Sequence, residues 1–86
     1  MGKSEKVIAA VLSGRSDHNV AFADLCHLLR QLGFTERVRG SHHIYSMAGV
    51  EEILNLQPKG SMSKAYQVRQ VRGVIVKYRL GVDHGR

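Results

Sequence analysis

Gly40-Ser41-His42 is the point where this 86-residue chain comes closest to chemistry. An imidazole that follows a glycine-serine turn is held at a strand end yet open to water. Its ordinary pKa of about 6.5 suits a proton acceptor at neutral pH. On periodicity alone, an exposed or structural histidine fits the same position. Pro58-Lys59-Gly60-Ser61-Met62-Ser63-Lys64 is the second candidate. It lacks the glycine spacing and the Gly-Lys-Ser/Thr end of a nucleotide-binding loop. A Gly-Ser turn that feeds a helix start between two lysines can still seat one phosphate. It reads equally as a capping loop with solubilising lysines. The remaining histidines and the cysteine suggest no metal set. His42 and His43 are neighbours on a strand and point to opposite faces, and Cys26-His27 diverges on a helix. His18 lies in a loop and His84 near the end of the chain, so no ligand set has the usual spacing, and no metal or other cofactor is expected.

Charge narrows the field. Thirteen Lys and Arg against seven Asp and Glu give +6 and a pI of about 10. Lys59, Lys64, Arg69, Arg72, Lys77 and Arg79 fall between Gln57 and Leu80 with no acid among them, and the rest of the chain balances. A helix that is merely soluble usually interleaves Glu or Asp, so the bare run points to a polyanionic partner as well as to a solvated face.

The elements that must position these residues follow from periodicity. At 43% apolar and 23% charged, the composition is that of one folded domain. Ser4 to Ser13 reads as a short helix with Val7, Ile8, Val11 and Leu12 on one stripe. Gly14 to Asn19 reads as a loop. Phe22, Leu25, Leu29 and Leu32 then mark an amphipathic helix, with Asn19 or Asp17 to cap its start and Gly33 to end it. Phe34 to Arg39, His42 to Met47 and Val50 to Leu56 alternate like strands, joined by tight turns at Gly40-Ser41 and Ala48-Gly49. His42, Ile44 and Ser46 should share one face; His43, Tyr45 and Met47 should share the other. The last segment is ambiguous. Val68, Val71, Ile75 and Tyr78 make a helical stripe, with Arg69, Arg72 and Arg79 on its flank, whereas Val74, Val76, Tyr78 and Leu80 alternate like a strand. Its length favours a helix. Cys26 alone permits no internal disulfide and fits a reducing, cytoplasmic setting. The longest apolar run, six residues from Val7 to Leu12, is shorter than a membrane span of about 20 or a secretory core of about 7–15.

Leu32-Gly33-Phe34, the Arg37-Val38-Arg39 strand, Gly40-Ser41-His42-His43-Ile44-Tyr45 and the proline-lysine loop after them resemble the HicA family of toxin ribonucleases. The resemblance runs from Val20 to Leu80. Where many members carry a proline-histidine pair, this chain has Gln57-Pro58-Lys59-Gly60. The resemblance implies an α+β fold like the double-stranded RNA-binding domain, a three-stranded antiparallel sheet with two helices on one face. It also implies metal-independent mRNA cleavage, inhibition by a HicB antitoxin, and His42 as the catalytic histidine. Residues 1–19 would be an N-terminal helical extension, 20–80 the ribonuclease domain and 81–86 a tail. On this reading the phosphates fall to Ser41, Lys59, Lys64, Arg69 and Arg72.

Two other classes compete with the ribonuclease. A non-catalytic RNA-binding module of the same shape needs only the basic helix. A domain that binds an acidic protein explains the charge but not the Gly40-Ser41-His42 turn.

Overall fold

A computed structural model describes residues 3–81. Most of the expected 81–86 tail, with His84, lies outside them. The order is α1 (Lys3–Ser13), a single 3₁₀ turn (Asp17–Asn19), α2 (Phe22–Gln31), β1 (Thr35–Arg39), β2 (His42–Met47), β3 (Val50–Leu56) and α3 (Ala65–Tyr78). The strands form one antiparallel sheet in the order β1-β2-β3. The α+β class and the antiparallel meander are as the periodicity indicates. No helix among the described residues is long and apolar enough to cross a membrane.

α2 buries Phe22, Leu25, Cys26, Leu28 and Leu29 and ends at Gly33, whose φ of +106° suits glycine. Phe34 does not begin β1. Its N–H donates to Leu29 O at 3.0 Å and its ring is buried, so it closes the end of the helix instead. Neither Asn19 nor Asp17 caps α2; Ala21 occupies that position without a side-chain bond. Asp17 is drawn away by a guanidinium in α3, because a two-pronged ion pair outcompetes one capping bond.

The Gly40-Ser41 turn joins β1 to β2 directly, pairing Arg39 with His42, with Gly40 at φ +59°. The register puts Tyr45 opposite Leu54 and His43 opposite Leu56 on the inner face. Tyr45, Leu54 and Leu56 meet α2 and the Val68, Val71, Val74 and Ile75 stripe of α3 in one core. Val76 is exposed, so the helical period wins over the strand alternation in this segment. Each fully buried Leu, Ile or Val contributes about 1.5–3 kcal/mol, against at most about 1 kcal/mol for a surface ion pair, so apolar contact decides how α3 lies.

The N-terminal helix belongs to the same core. Val11 is fully buried, Val7 and Ile8 are partly so, and α1 packs against α2 and α3. Residues expected as an extension thus complete the hydrophobic interior.

Candidate functional site: the hairpin turn and the foot of α3

His42 stands at the start of β2 on the solvent face of the sheet, exposed. Its Nδ1 lies 2.9 Å from Asn55 Oδ1, on the neighbouring strand. An amide oxygen only accepts, so Nδ1 carries the hydrogen and the neutral ring keeps its lone pair on Nε2. A base that meets solvent through one nitrogen while the other is held is oriented for proton transfer. Arg39 is directly opposite His42 in the register, and Arg37 follows two residues away on the same face. Both are exposed. They supply positive charge beside the imidazole.

The turn is braced from behind. Gln57 Nε2 donates to Ser41 Oγ at 2.8 Å. Gln57 is itself fixed by the buried Gln67 of α3. In the amide orientation that satisfies both groups, Gln67 donates to Gln57 O at 3.1 Å and accepts from Gln57 N–H at 3.0 Å. A helix side chain thus pairs with the backbone just past β3, as another strand would.

The lysine-bearing loop is equally well held. Lys59 and Met62 exchange backbone bonds of 2.9 and 3.1 Å across a turn in which Gly60 has φ +63°. Ser61 O accepts from Phe22 N–H at 3.0 Å, and Ser63 N–H donates to Val20 O at 2.9 Å, which pins the loop to the start of α2. An open cleft of about 880 Å³ lies at the foot of α3, lined in part by His18, Gln57, Lys59, Ser63, Lys64 and Tyr66. The expected phosphate loop is therefore a rigid turn beside a helix start, with lysines on its rim.

The expected cations separate. Lys59 and Lys64 share the cleft, and Arg69 is exposed on α3. Arg72 does not join them. Its guanidinium binds Asp17 through Nη1–Oδ1 at 2.9 Å and Nη2–Oδ2 at 3.2 Å, and Nη1 donates to Val11 O at 3.0 Å. Expected as a phosphate ligand, Arg72 is instead an internal strut, because Asp17 and the last turn of α1 reach it first. Lys77 is held by Glu52 at 2.9 Å. His42 does not line the cleft; Gln57 links the cleft to the turn.

Sequence spacing missed one cluster altogether. Ligand-type atoms of Cys26, Glu36 and His43 lie within 4.8 Å of one another beneath the sheet. Glu36 Oε2 accepts from the Tyr45 hydroxyl, from His43 Nδ1 at 3.1 Å and from Arg30 at 3.2 Å. The Tyr45 bond, foremost, and the His43 bond hold the Glu36 carboxyl below its usual range, while burial pushes the Cys26 thiol up. A metal here would have to displace the Tyr45 and His43 donors and deprotonate a buried thiol. As it stands, the cluster locks His43, whose ring also meets Phe22 edge-on at 5.0 Å. The strand register alone could have signalled part of this, since Glu36 is paired with Tyr45 and shares its face with His43. Asn55 and Arg39 were open to the same reasoning, through the two-residue turn.

Comparison with protein-family models, with characterised proteins and with solved structures finds no match.

Proposed function

We propose that the chain is an RNA endonuclease of the HicA toxin type, built on a fold of the double-stranded RNA-binding-domain kind. The observation that carries this is the His42–Asn55 pair: a solvent-facing histidine whose inward nitrogen is engaged, set among Arg37 and Arg39 on a firm sheet. RNA brings its own nucleophile. His42 Nε2 takes the 2′-hydroxyl proton, and the 2′-oxygen attacks the adjacent phosphorus. The bond to the 5′-oxygen then breaks, and that oxygen takes a proton from solvent. The products are a 2′,3′-cyclic phosphate and a 5′-hydroxyl end. No metal is required for that displacement, since cations on the protein can offset the extra phosphorane charge. Arg39, opposite His42 in the register, is placed for this purpose. Lys59, Lys64 and Arg69 hold the flanking strand, and Ser41 offers a hydroxyl proton beside the base. The partner that silences such a toxin in the cytoplasm would be a HicB-like antitoxin covering this surface.

Cleavage of RNA in EDTA tests the proposal. His42→Ala should slow the reaction about 10²–10⁴-fold, the usual range for a general base. It should leave the fold intact because the residue is exposed. Cleavage by His42→Ala at the wild-type rate would remove His42 from the mechanism. RNA bound but never cut by the wild type would mean a binding module instead.

A further inference from the structure

The cleft at the foot of α3 has features that catalysis at His42 does not use. Ser63 lines it, is 5% exposed, and carries the buried side-chain polar atom that finds no hydrogen-bond partner among the described residues. An unpartnered buried hydroxyl is costly unless something satisfies it. Beside it begins a 14-residue helix whose N-cap, Lys64, makes no side-chain cap bond. The first N–H groups of α3, at Ala65 and Tyr66, have no intrahelical acceptor and give that end positive character. Lys59 and Lys64 stand at the rim and His18 lines the cleft as well. Hydroxyl, helix end and lysines together suit an anion of phosphate size. Tyr66 adds a different chemistry. It is 55% exposed, an aromatic side chain left in solvent at the mouth of a basic cleft. Its open ring face beside those cations is a platform on which a base can stack.

We propose that this cleft is a nucleotide subsite for single-stranded RNA, with Tyr66 stacking on a base and Ser63, Lys59, Lys64 and the first turn of α3 receiving its phosphate. The inference rests on the reading of the chain as an RNA-acting protein and specifies the form of RNA it takes. A base in a duplex is covered on both faces by its neighbours, so only an unpaired base can lie on Tyr66. The substrate strand would run from the cleft past Gln57 toward the hairpin turn, since Gln57 lines the first and binds Ser41 in the second.

The test is fluorescence anisotropy with a labelled 2′-O-methyl single strand, which cannot be cleaved, and with the matched duplex. Wild-type protein should bind the single strand more tightly than the duplex. Tyr66→Ala should weaken single-strand binding about 5- to 150-fold, the range for loss of one stacked base. Tyr66→Phe should stay close to wild type, because stacking does not need the hydroxyl. In a parallel amide-NMR titration, inorganic phosphate should shift the Ala65 and Tyr66 N–H signals of the wild type, and much less those of Ser63→Ala. Equal binding by wild type and Tyr66→Ala, or preference for the duplex, overturns the subsite while leaving RNA action in place. No binding of either probe by the wild type overturns the subsite and the RNA reading together. Phosphate shifts confined to other amides overturn the phosphate half of the assignment.

Discussion

Arg72 and Asp17, 55 residues apart in the chain, meet in a two-pronged ion pair that ties α3 to the 3₁₀ turn before α2. A third bond, from Arg72 to Val11 O, holds the last turn of α1. The pair converts what looks like a nucleic-acid contact into a fastener of the fold. Arg72→Ala and Asp17→Asn should each lower the urea midpoint clearly, since each strands the charge or the dipole left behind. Arg69→Ala should change stability by no more than about 0.5 kcal/mol, as exposed positions do, yet weaken RNA binding. An Arg72→Ala protein with wild-type stability would show that the ion pair holds nothing.

The His42–Asn55 bond predicts a pH signature. Asn55→Asp places a carboxylate on Nδ1–H and stabilises the imidazolium. The base then stays protonated to higher pH, and the acidic limb of the rate profile should move upward. Asn55→Ala should slow cleavage by roughly tenfold or more through loss of ring orientation, without that displacement. Profiles that superimpose for wild type and Asn55→Asp would exclude the pair from the reaction.

Stability should fall at both ends of the pH scale, for opposite reasons. Bonds from the Tyr78 hydroxyl and then from Lys77 bring the Glu52 carboxyl down to about 2, from an ordinary 4.5. Asp17, through Arg72, and Glu36, through Tyr45, are lowered as well. Depressed carboxyls contribute fully above their unfolded pKa, so this stability is lost as pH drops from 4.5 toward 2. Burial raises the Cys26 and Tyr45 values above their ordinary 9.0 and 10.0, so the folded form loses ground as pH climbs past 9. Urea midpoints measured from pH 7 to pH 2.5 check the acid limb. Glu52→Gln should flatten it, and an unchanged slope would exclude Glu52.

Salt dependence counts the cations that reach phosphate. With Arg72 and Lys77 engaged by acids, Lys59, Lys64, Arg69 and Arg39 are the cations that the proposed function sets against the strand. The slope of log K against log salt should be about −2 to −3. Arg72→Ala should leave that slope unchanged, whereas Lys64→Ala should reduce it by about 0.7.

For a toxin of the proposed kind, occlusion is the expected mode of inhibition. A HicB-like antitoxin and a non-cleavable RNA should displace one another from His42→Ala protein, with encounter slowed by salt where carboxylates meet the lysines. The alternative surface, the α1 stripe, is mostly spent, because Val11 is buried and Val7 and Ile8 pack on the core while Leu12 stays exposed. A stable ternary complex of this protein, antitoxin and RNA would overturn occlusion.

Local pattern made much of this fold legible. Gly40-Ser41 between two alternating runs specified the hairpin, and from its register alone Arg39 had to face His42. The spacing of Val68, Val71 and Ile75 marked the buried face of α3, which the core confirms. What stayed hidden are side-chain meetings between distant segments. Nothing in the neighbourhood of Asp17 distinguishes a helix cap from a partner for Arg72, because either use suits a short carboxylate in a loop. Gln67, buried on a basic helix, shows its purpose only once the end of β3 lies beside it. Cys26, Glu36 and His43 come from a helix and two strands, so their approach depends on how α2 lies on the sheet.

The brace through Gln67, Gln57 and Ser41 has a thermodynamic consequence. Gln57 forms part of the wall of one site and the support of the other. If an occupant of the cleft steadies that residue, it steadies the turn that carries His42. Linkage then demands the converse by the same factor: whatever settles on the turn must tighten or loosen the cleft to an equal degree. The two ends of the surface would act as one cooperative unit, and breaking the Gln57–Ser41 bond should leave both able to bind but indifferent to each other.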